Sequence, residues 1–282
     1  MDKLKIPRVL DEKLYEQFFC PFIPKFKTGR PRKLSNLSLL NYALFVLYTG
    51  IQWKSLPIKL DESGKAEIHY SSVFKVFQQW IKADVFKEVF LESVRALKEK
   101  GRLDLDVLHG DGTTTSAKKG GDGIGYNGHK KMKGDKNITV CDRKCNVICP
   151  FVTAPGNRHE GPLFKETLAH LKEVSKECGL TLEGAVMSLD SAYDSKSNRK
   201  DIFNRGMIPN IKENKRNRKS PKKGRKPIYD DEIYDERFHT IEKVFAWEDT
   251  FKRLLLRFET ISNHFFNFKL LSYIMINIRH FA

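Results

Sequence analysis

Apolar side chains recur at helical spacing through the first hundred residues and change to a mixture of strand-like and helical patterns after them. Ser35-Asn36 offers a cap for the run LSLLNYALFVLYTG, a mostly apolar helix that Gly50 stops. After a turn through Pro57, Val73, Val76, Phe77 and Trp80 mark one face of a second helix at i, i+3, i+4 and i+7. A third carries Phe86, Val89, Phe90 and Leu97 on one side and ends at Gly101. From residue 101 the pattern predicts a strand over 103–109, running into Gly110-Asp111-Gly112-Thr113, and then a glycine-rich basic loop over 118–134. Residues 137–152 alternate as strand, tight turn, strand. An amphipathic helix over 163–178, a short buried-type strand over 185–189 ending at Asp190, a helix over 195–205 and a strand over 207–211 follow. Residues 236–258 read as one helix with Ile241, Phe245, Phe251, Leu255 and Phe258 near one face, and 263–279 as a last apolar helix. This order predicts an α/β chain, a mixed sheet with helices packed on it, behind a small all-helical region.

Charge sharpens the picture. The 282 residues carry 51 Lys+Arg against 35 Asp+Glu, a formal charge of +16. Such an excess suits a polyanion, because each neutralised phosphate releases counterions. Two stretches concentrate it. Arg30, Arg32 and Lys33 flank Pro31 ahead of the first helix. Residues 212–227 hold nine Lys or Arg and one acid, Lys215, Arg216, Arg218 and Lys219 among them, so this loop buries no apolar face. Either is a contact to DNA phosphates or simply a solvated loop. No run approaches the ~20 apolar residues of a membrane span, and the first residues lack a signal-peptide pattern; a cytoplasmic protein without membrane contact is the expectation. Cys141, Cys145 and Cys149 recur every four residues inside the alternating hairpin, with no second ligand pair elsewhere, which predicts buried thiols and no zinc site.

Candidate chemistry lies in three acids. Asp111 and Asp190 each follow an apolar strand and precede small residues, Gly112-Thr113 and Ser191-Ala192. Carboxylates at neighbouring strand ends suit hard divalent cations, and two such ions about 4 Å apart activate an oxygen nucleophile and relieve charge on a leaving oxygen. The plain alternative is that each Asp caps a turn. Glu242 sits beside Ile241 and Val244 and is expected near a buried face, or else in an ion pair with Lys243 or Arg237. Neither a Walker-type phosphate loop nor G-x-S-x-G occurs. His159-Glu160 reads as part of a turn.

Asp111-Gly112-Thr113-Thr114, the run from Leu189 through Asp190 to Asp194, and the run from Ile241 through Glu242 to Trp247 resemble the three acidic motifs of bacterial insertion-sequence DDE transposases. Gly29 to Lys33, Tyr48 to Pro57, Thr153 to Glu160 and Arg253 to Glu259 are similar to further stretches of that family, in its order and over nearly the whole chain. Two positions depart from the family pattern. Ser191 stands where an Arg usually follows the second Asp, and Phe238 stands four residues before the Glu, with Arg237 one further back.

The resemblance implies a helical DNA-binding region over 1–100 and a ribonuclease H-like catalytic domain over 101–282, with the basic loop 212–227. It implies that Asp111, Asp190 and Glu242 are catalytic and hold two Mg²⁺ or Mn²⁺ ions. Water first cuts the end of a mobile element, and the freed 3′-hydroxyl attacks target DNA without a covalent enzyme intermediate. Expected partners are double-stranded DNA, both terminal inverted repeats and target, and further copies of the chain at the paired ends. The location implied is the bacterial cytoplasm, at the nucleoid. Expected DNA contacts are Arg30, Arg32, Lys33, Lys118, Lys119, Lys131, Lys133, Lys215, Arg216, Arg218, Lys219, Arg237, Lys252 and Arg253. Glu248 and Asp249 remain rivals for the third acid. A non-catalytic DNA-binding derivative and a plain metal nuclease remain rival functions.

Overall fold

The computed structural model describes residues 4–25, 32–214 and 227–282. Arg30, Lys215, Arg216, Arg218 and Lys219 lie outside the described residues, as does most of the 212–227 loop. The chain forms two compact units. One comprises Met1–Ala96, Thr115–Gly123 and Trp247–Ala282; the other comprises Leu97–Thr114 and Ile124–Ala246. The first unit thus joins the N-terminal helices to stretches whose sequence pattern had grouped them with the second region.

In the first unit, the short helix α1 (Glu12–Leu14) precedes α2 (Asn36–Thr49), α3 (Tyr70–Lys82) and α4 (Val85–Glu99). Ser35 caps α2 through its hydroxyl, and Gly50 ends it with a left-handed φ of 73°, as its position after the last apolar residue predicts. Val73, Val76, Phe77 and Trp80 are all buried, so the four-residue stripe read from α3 is its packing face. That face meets the last helix, α10 (Ser262–Ile278), where the Phe77 and Phe268 rings stack with centroids 4.6 Å apart. Thirteen residues of α10 are buried, polar ones included. Buried Asn277 donates to the Ser93 hydroxyl at 3.1 Å, and Lys269 reaches Glu248 at 2.7 Å. Glu248 also accepts from Tyr273, so this carboxylate is enclosed by its own partners.

The second unit is built on a mixed sheet. Its strands are β1 (Val107–Ala117), β2 (Gly125–Asn127), β3 (Met132–Asp142), β4 (Val147–Pro155), β5 (Val186–Leu189) and β6 (Ile208–Ile211). The order is β2-β3-β1-β5-β6, with β4 also paired to β3. β1, β5 and β6 run parallel, while β3 pairs antiparallel with β2 and β4. The helices α5 (Glu160–Cys178) and α6 (Lys196–Phe203) make the crossovers that parallel neighbours require, and α7 (Asp231–Asp235) follows β6. This is the expected α/β class, a mixed sheet flanked by helices. Cys141, Cys145 and Cys149 are buried in the β3–β4 hairpin. Burial pushes the Cys149 thiol up to about 12.

Three elements differ from the pattern reading. The strand expected to stop at residue 109 continues through Asp111 to Ala117, because Thr113-Thr114-Thr115 are β-branched and suit a strand, and because Ser116 and Ala117 pair with β7 (Leu256–Arg257). The loop 118–134 contains β2. The single helix expected over 236–258 is a 3₁₀ turn at Glu236–His239, then α8 (Ile241–Glu248), α9 (Lys252–Leu255) and β7. Thr250 ends α8 by donating both its amide and its hydroxyl to the Trp247 carbonyl, which diverts the helical hydrogen-bond ladder. Leu255 and Phe258, expected on a buried face, are consequently exposed. No helix among the described residues is long and apolar enough to cross a membrane.

Candidate active site

The parallel register of β1 and β5 brings two acids together. His109 is level with Ser188, so Asp111 and Asp190, each two residues further on, emerge side by side from neighbouring strands about 4.8 Å apart. Asp190 closes β5 as its pattern predicts, and its carboxylate accepts from the Ala192 amide at 2.8 Å. Asp111, in contrast, lies within β1. The flanking glycines face close-packed side chains. A Cβ at Gly110 would sit 2.7 Å from Leu189 Cδ2, and one at Gly112 would sit 2.9 Å from Glu160 Cδ.

Burial pushes the Asp111 carboxyl up to about 6, against the pull of Arg237, and the neighbouring Asp190 charge adds to the rise. Asp190 is likewise raised, first by burial, with Glu160 adding to it. Arg237 is the counter-charge: its Nη2 donates to Asp111 Oδ2 at 2.6 Å, and the Gly112 amide donates to Oδ1 at 2.7 Å. Two half-buried carboxylates, one of them already gripping a guanidinium, form a site that favours positive charge. Their oxygen donors fit a hard divalent cation.

The third expected acid does not join them in this conformation. Glu242 stands exposed near the start of α8, one residue past the buried Ile241 and not on a buried face as expected. Among the described residues, no three Asp, Glu, His or Cys side chains converge on a metal position. The acid whose field reaches both Asp111 and Asp190 is Glu160, which the sequence reading assigned to a turn. It heads α5 and pairs with the buried Lys136 at 2.9 Å. A second cluster was also missed. Arg143 donates twice to Glu236, at 2.8 and 2.7 Å. The buried His109 ring lies 3.6 Å from that carboxylate, beyond hydrogen-bond reach, and burial lowers its pKa to about 4. Charged residues so far apart in sequence leave no local signal of pairing.

Of the expected DNA contacts, Lys33, Lys118, Lys119, Lys131, Lys133 and Lys252 are exposed. Arg32 is half-buried and donates to Asn36 and Gln79. Two expectations of a free cationic surface fail. Arg253 is buried, pairs with Glu259 and reaches the backbone of Ile51 at 3.2 Å. Arg237 is buried against Asp111, whereas Phe238, in the place usual for the arginine, is exposed. Burial costs a guanidinium its hydration, so each takes a carboxylate partner in place of solvent.

The Asp111 shift gives a testable pH dependence. Its folded-state pKa lies above the unfolded value near 3.9, so the native state holds the proton more tightly. The metal-free protein should therefore lose on the order of 1–3 kcal/mol of stability from this group as pH rises from about 4 through about 6. A divalent cation held at Asp111 would take the place of that proton, so millimolar Mg²⁺ should then raise the melting temperature more at pH 7 than at pH 5. Melting curves with an equal Mg²⁺ effect at both pH values would count against a cation at Asp111.

A family model described as Transposase DDE domain matches residues 103–278, more than half of the chain. A second model, for transposases of the IS4/5 family, matches residues 10–90. No curated protein matches. Among solved structures, the chain is similar to piggyBac transposase in a synaptic complex with hairpin DNA, at 13% identity over 94% of this chain and 72% of that one, with a TM-score of 0.49. It is also similar to Mos1 transposase in a pre-cleavage transpososome, at 10% identity over 90% of this chain and 80% of that one, with a TM-score of 0.30.

Proposed function

Since the chain belongs to the Transposase DDE domain family, whose chemistry depends on a divalent metal, we propose that Asp111 and Asp190 hold two Mg²⁺ or Mn²⁺ ions and that Glu242 completes the site once DNA is bound. The observation that carries this reading is the register of β1 and β5, which sets two half-buried carboxylates side by side, the Asp190 charge raising Asp111. When bound, the ions supply activation of an oxygen nucleophile and relief of charge on the departing oxygen.

The chain's own residues prepare that site. The Gly112 and Ala192 amides fix the Asp111 and Asp190 carboxylates by one oxygen each, which holds their orientation before metal arrives. Arg237 neutralises Asp111 in the absence of metal, and once displaced it is free to grip a phosphate oxygen. The exposed lysines at 118, 119, 131, 133 and 252, and the basic loop with Lys215, Arg216, Arg218 and Lys219, track the DNA backbone. The partners are the terminal inverted repeats of a mobile element and target DNA, and the enzyme works as a dimer or larger assembly on paired ends, at the bacterial nucleoid. The +16 charge supports a DNA partner.

A joining assay tests this function. With Mg²⁺, the protein should cut a DNA end and transfer the 3′-hydroxyl into a second duplex. Cleavage without any joined product would reduce it to a nuclease, and binding without cleavage would make it a non-catalytic relative.

A further inference from the structure

Beside the paired acids, in the second unit, opens a cavity of about 800 Å³ that spans the β2–β3 turn, the head of α5 and the loop after β5. Ala192, whose amide holds Asp190, lines it, and so does Glu160, whose charge raises both acids. That carboxylate is already answered by the buried Lys136, so it does not repel an anion strongly. The other charged groups around the space are cationic: Lys130, Arg158 and Lys165 are exposed to it. The head of α5 lines the same space through Glu160 and Gly161, and its cap residue His159 makes no side-chain hydrogen bond to their amides, while Pro162 has no amide hydrogen to offer.

An anion alone would leave one feature unexplained. Tyr126 also lines the cavity and is 56% exposed, although a tyrosine ring ordinarily covers its apolar face. Its pairing opposite Lys133 on the short β2–β3 ribbon presents it from a fixed backbone. A Cβ added at Gly128, in the same turn, would meet nothing within 4 Å. A flat aromatic wall, three cations and the head of a helix around a space of this size match one nucleotide, with its base on the ring and its phosphate on the cations. The base must be unpaired, because a base inside a duplex is already stacked on both faces.

We propose that this cavity takes one unpaired nucleotide next to the cut bond, its base stacked on Tyr126 and its phosphate held by Arg158 and Lys165. The proposal rests on the reading of the neighbouring acids as a DNA-cutting site. A strand drawn into the cavity would be pinned within reach of Asp190, so the pocket sets which bond lies over the carboxylates.

Duplex DNA with a short single-stranded overhang containing 2-aminopurine, compared with the same duplex made blunt, tests it without metal. Wild type should quench the probe and bind the overhang about tenfold more tightly than the blunt duplex, the order that one base–aromatic stack supplies. Tyr126→Ala should lose both effects and keep its blunt-duplex affinity, while Tyr126→Phe should keep both. Arg158→Ala combined with Lys165→Ala should weaken the overhang complex more than the blunt one. Equal wild-type affinity for the two duplexes, or equal weakening of both by Tyr126→Ala, would overturn the pocket. If such a protein still cut DNA in Mg²⁺, the function of the acids would stand without it. Wild type that binds neither duplex would overturn both readings.

Discussion

Alanine at Asp111 or at Asp190 should cut DNA cleavage and joining by at least ~10³-fold while leaving DNA binding nearly intact. On the proposed reading each carboxylate holds a cation, and neither belongs to the basic surface that attracts phosphate. Removing a negative charge does not weaken that attraction. The two variants differ in stability. Asp111→Ala strips Arg237 of its partner and leaves a buried guanidinium, a loss of about 3–5 kcal/mol. Asp111→Asn keeps the side-chain volume and a weaker contact, so it separates loss of chemistry from loss of fold. Asp190 accepts from an amide and feels Arg237 only through its field, without a contact ion pair, so its replacement should cost far less stability. Cleavage near the wild-type rate in either alanine variant, on a protein shown folded by circular dichroism, would remove that residue from the site.

The acids on and after α8 should divide in the opposite way. Glu248→Gln should destabilise the first unit by about 3–5 kcal/mol, because Lys269 would stay buried with no opposite charge. Glu242→Gln, on an exposed side chain, should change unfolding by less than about 0.5 kcal/mol yet abolish joining. Asp249→Asn should retain most activity. Its carboxyl is pushed up by desolvation and by the Glu248 charge, and no cation is needed to explain it. Urea unfolding and the joining assay, run on the same three variants, read both quantities. Full joining by Glu242→Gln together with its loss in Asp249→Asn would transfer the third position to Asp249. The enclosure of Glu248 by Lys269 and Tyr273 already commits that carboxylate to the core.

Local chemistry was legible wherever one element decides its own outcome. The Ser35 cap, the Gly50 stop, the stripe of Val73, Val76, Phe77 and Trp80, the β3–β4 hairpin and the short buried strand before Asp190 all follow from periodicity and turn residues within a dozen positions. The family motifs around Asp111, Asp190 and Glu242 were legible too, because a motif is a local string. The helix expected over 236–258 went astray because the apolar side chains that continue past Thr250 cannot reveal a hydroxyl turning back on Trp247.

What the sequence determined by itself was the class of fold, the family and three candidate acids for its chemistry. Only the tertiary structure decided which charges meet. The β1–β5 register sets Asp111 against Asp190, a pairing that neither strand encodes alone. Arg237 folds onto a carboxylate 126 residues away, and Lys269 onto Glu248 across 21. The α3 stripe is buried by α10, at the far end of the chain. Each of these depends on desolvation, which no residue carries in its own neighbourhood: a charge keeps its hydration, or takes an opposite charge, according to what the rest of the chain packs over it.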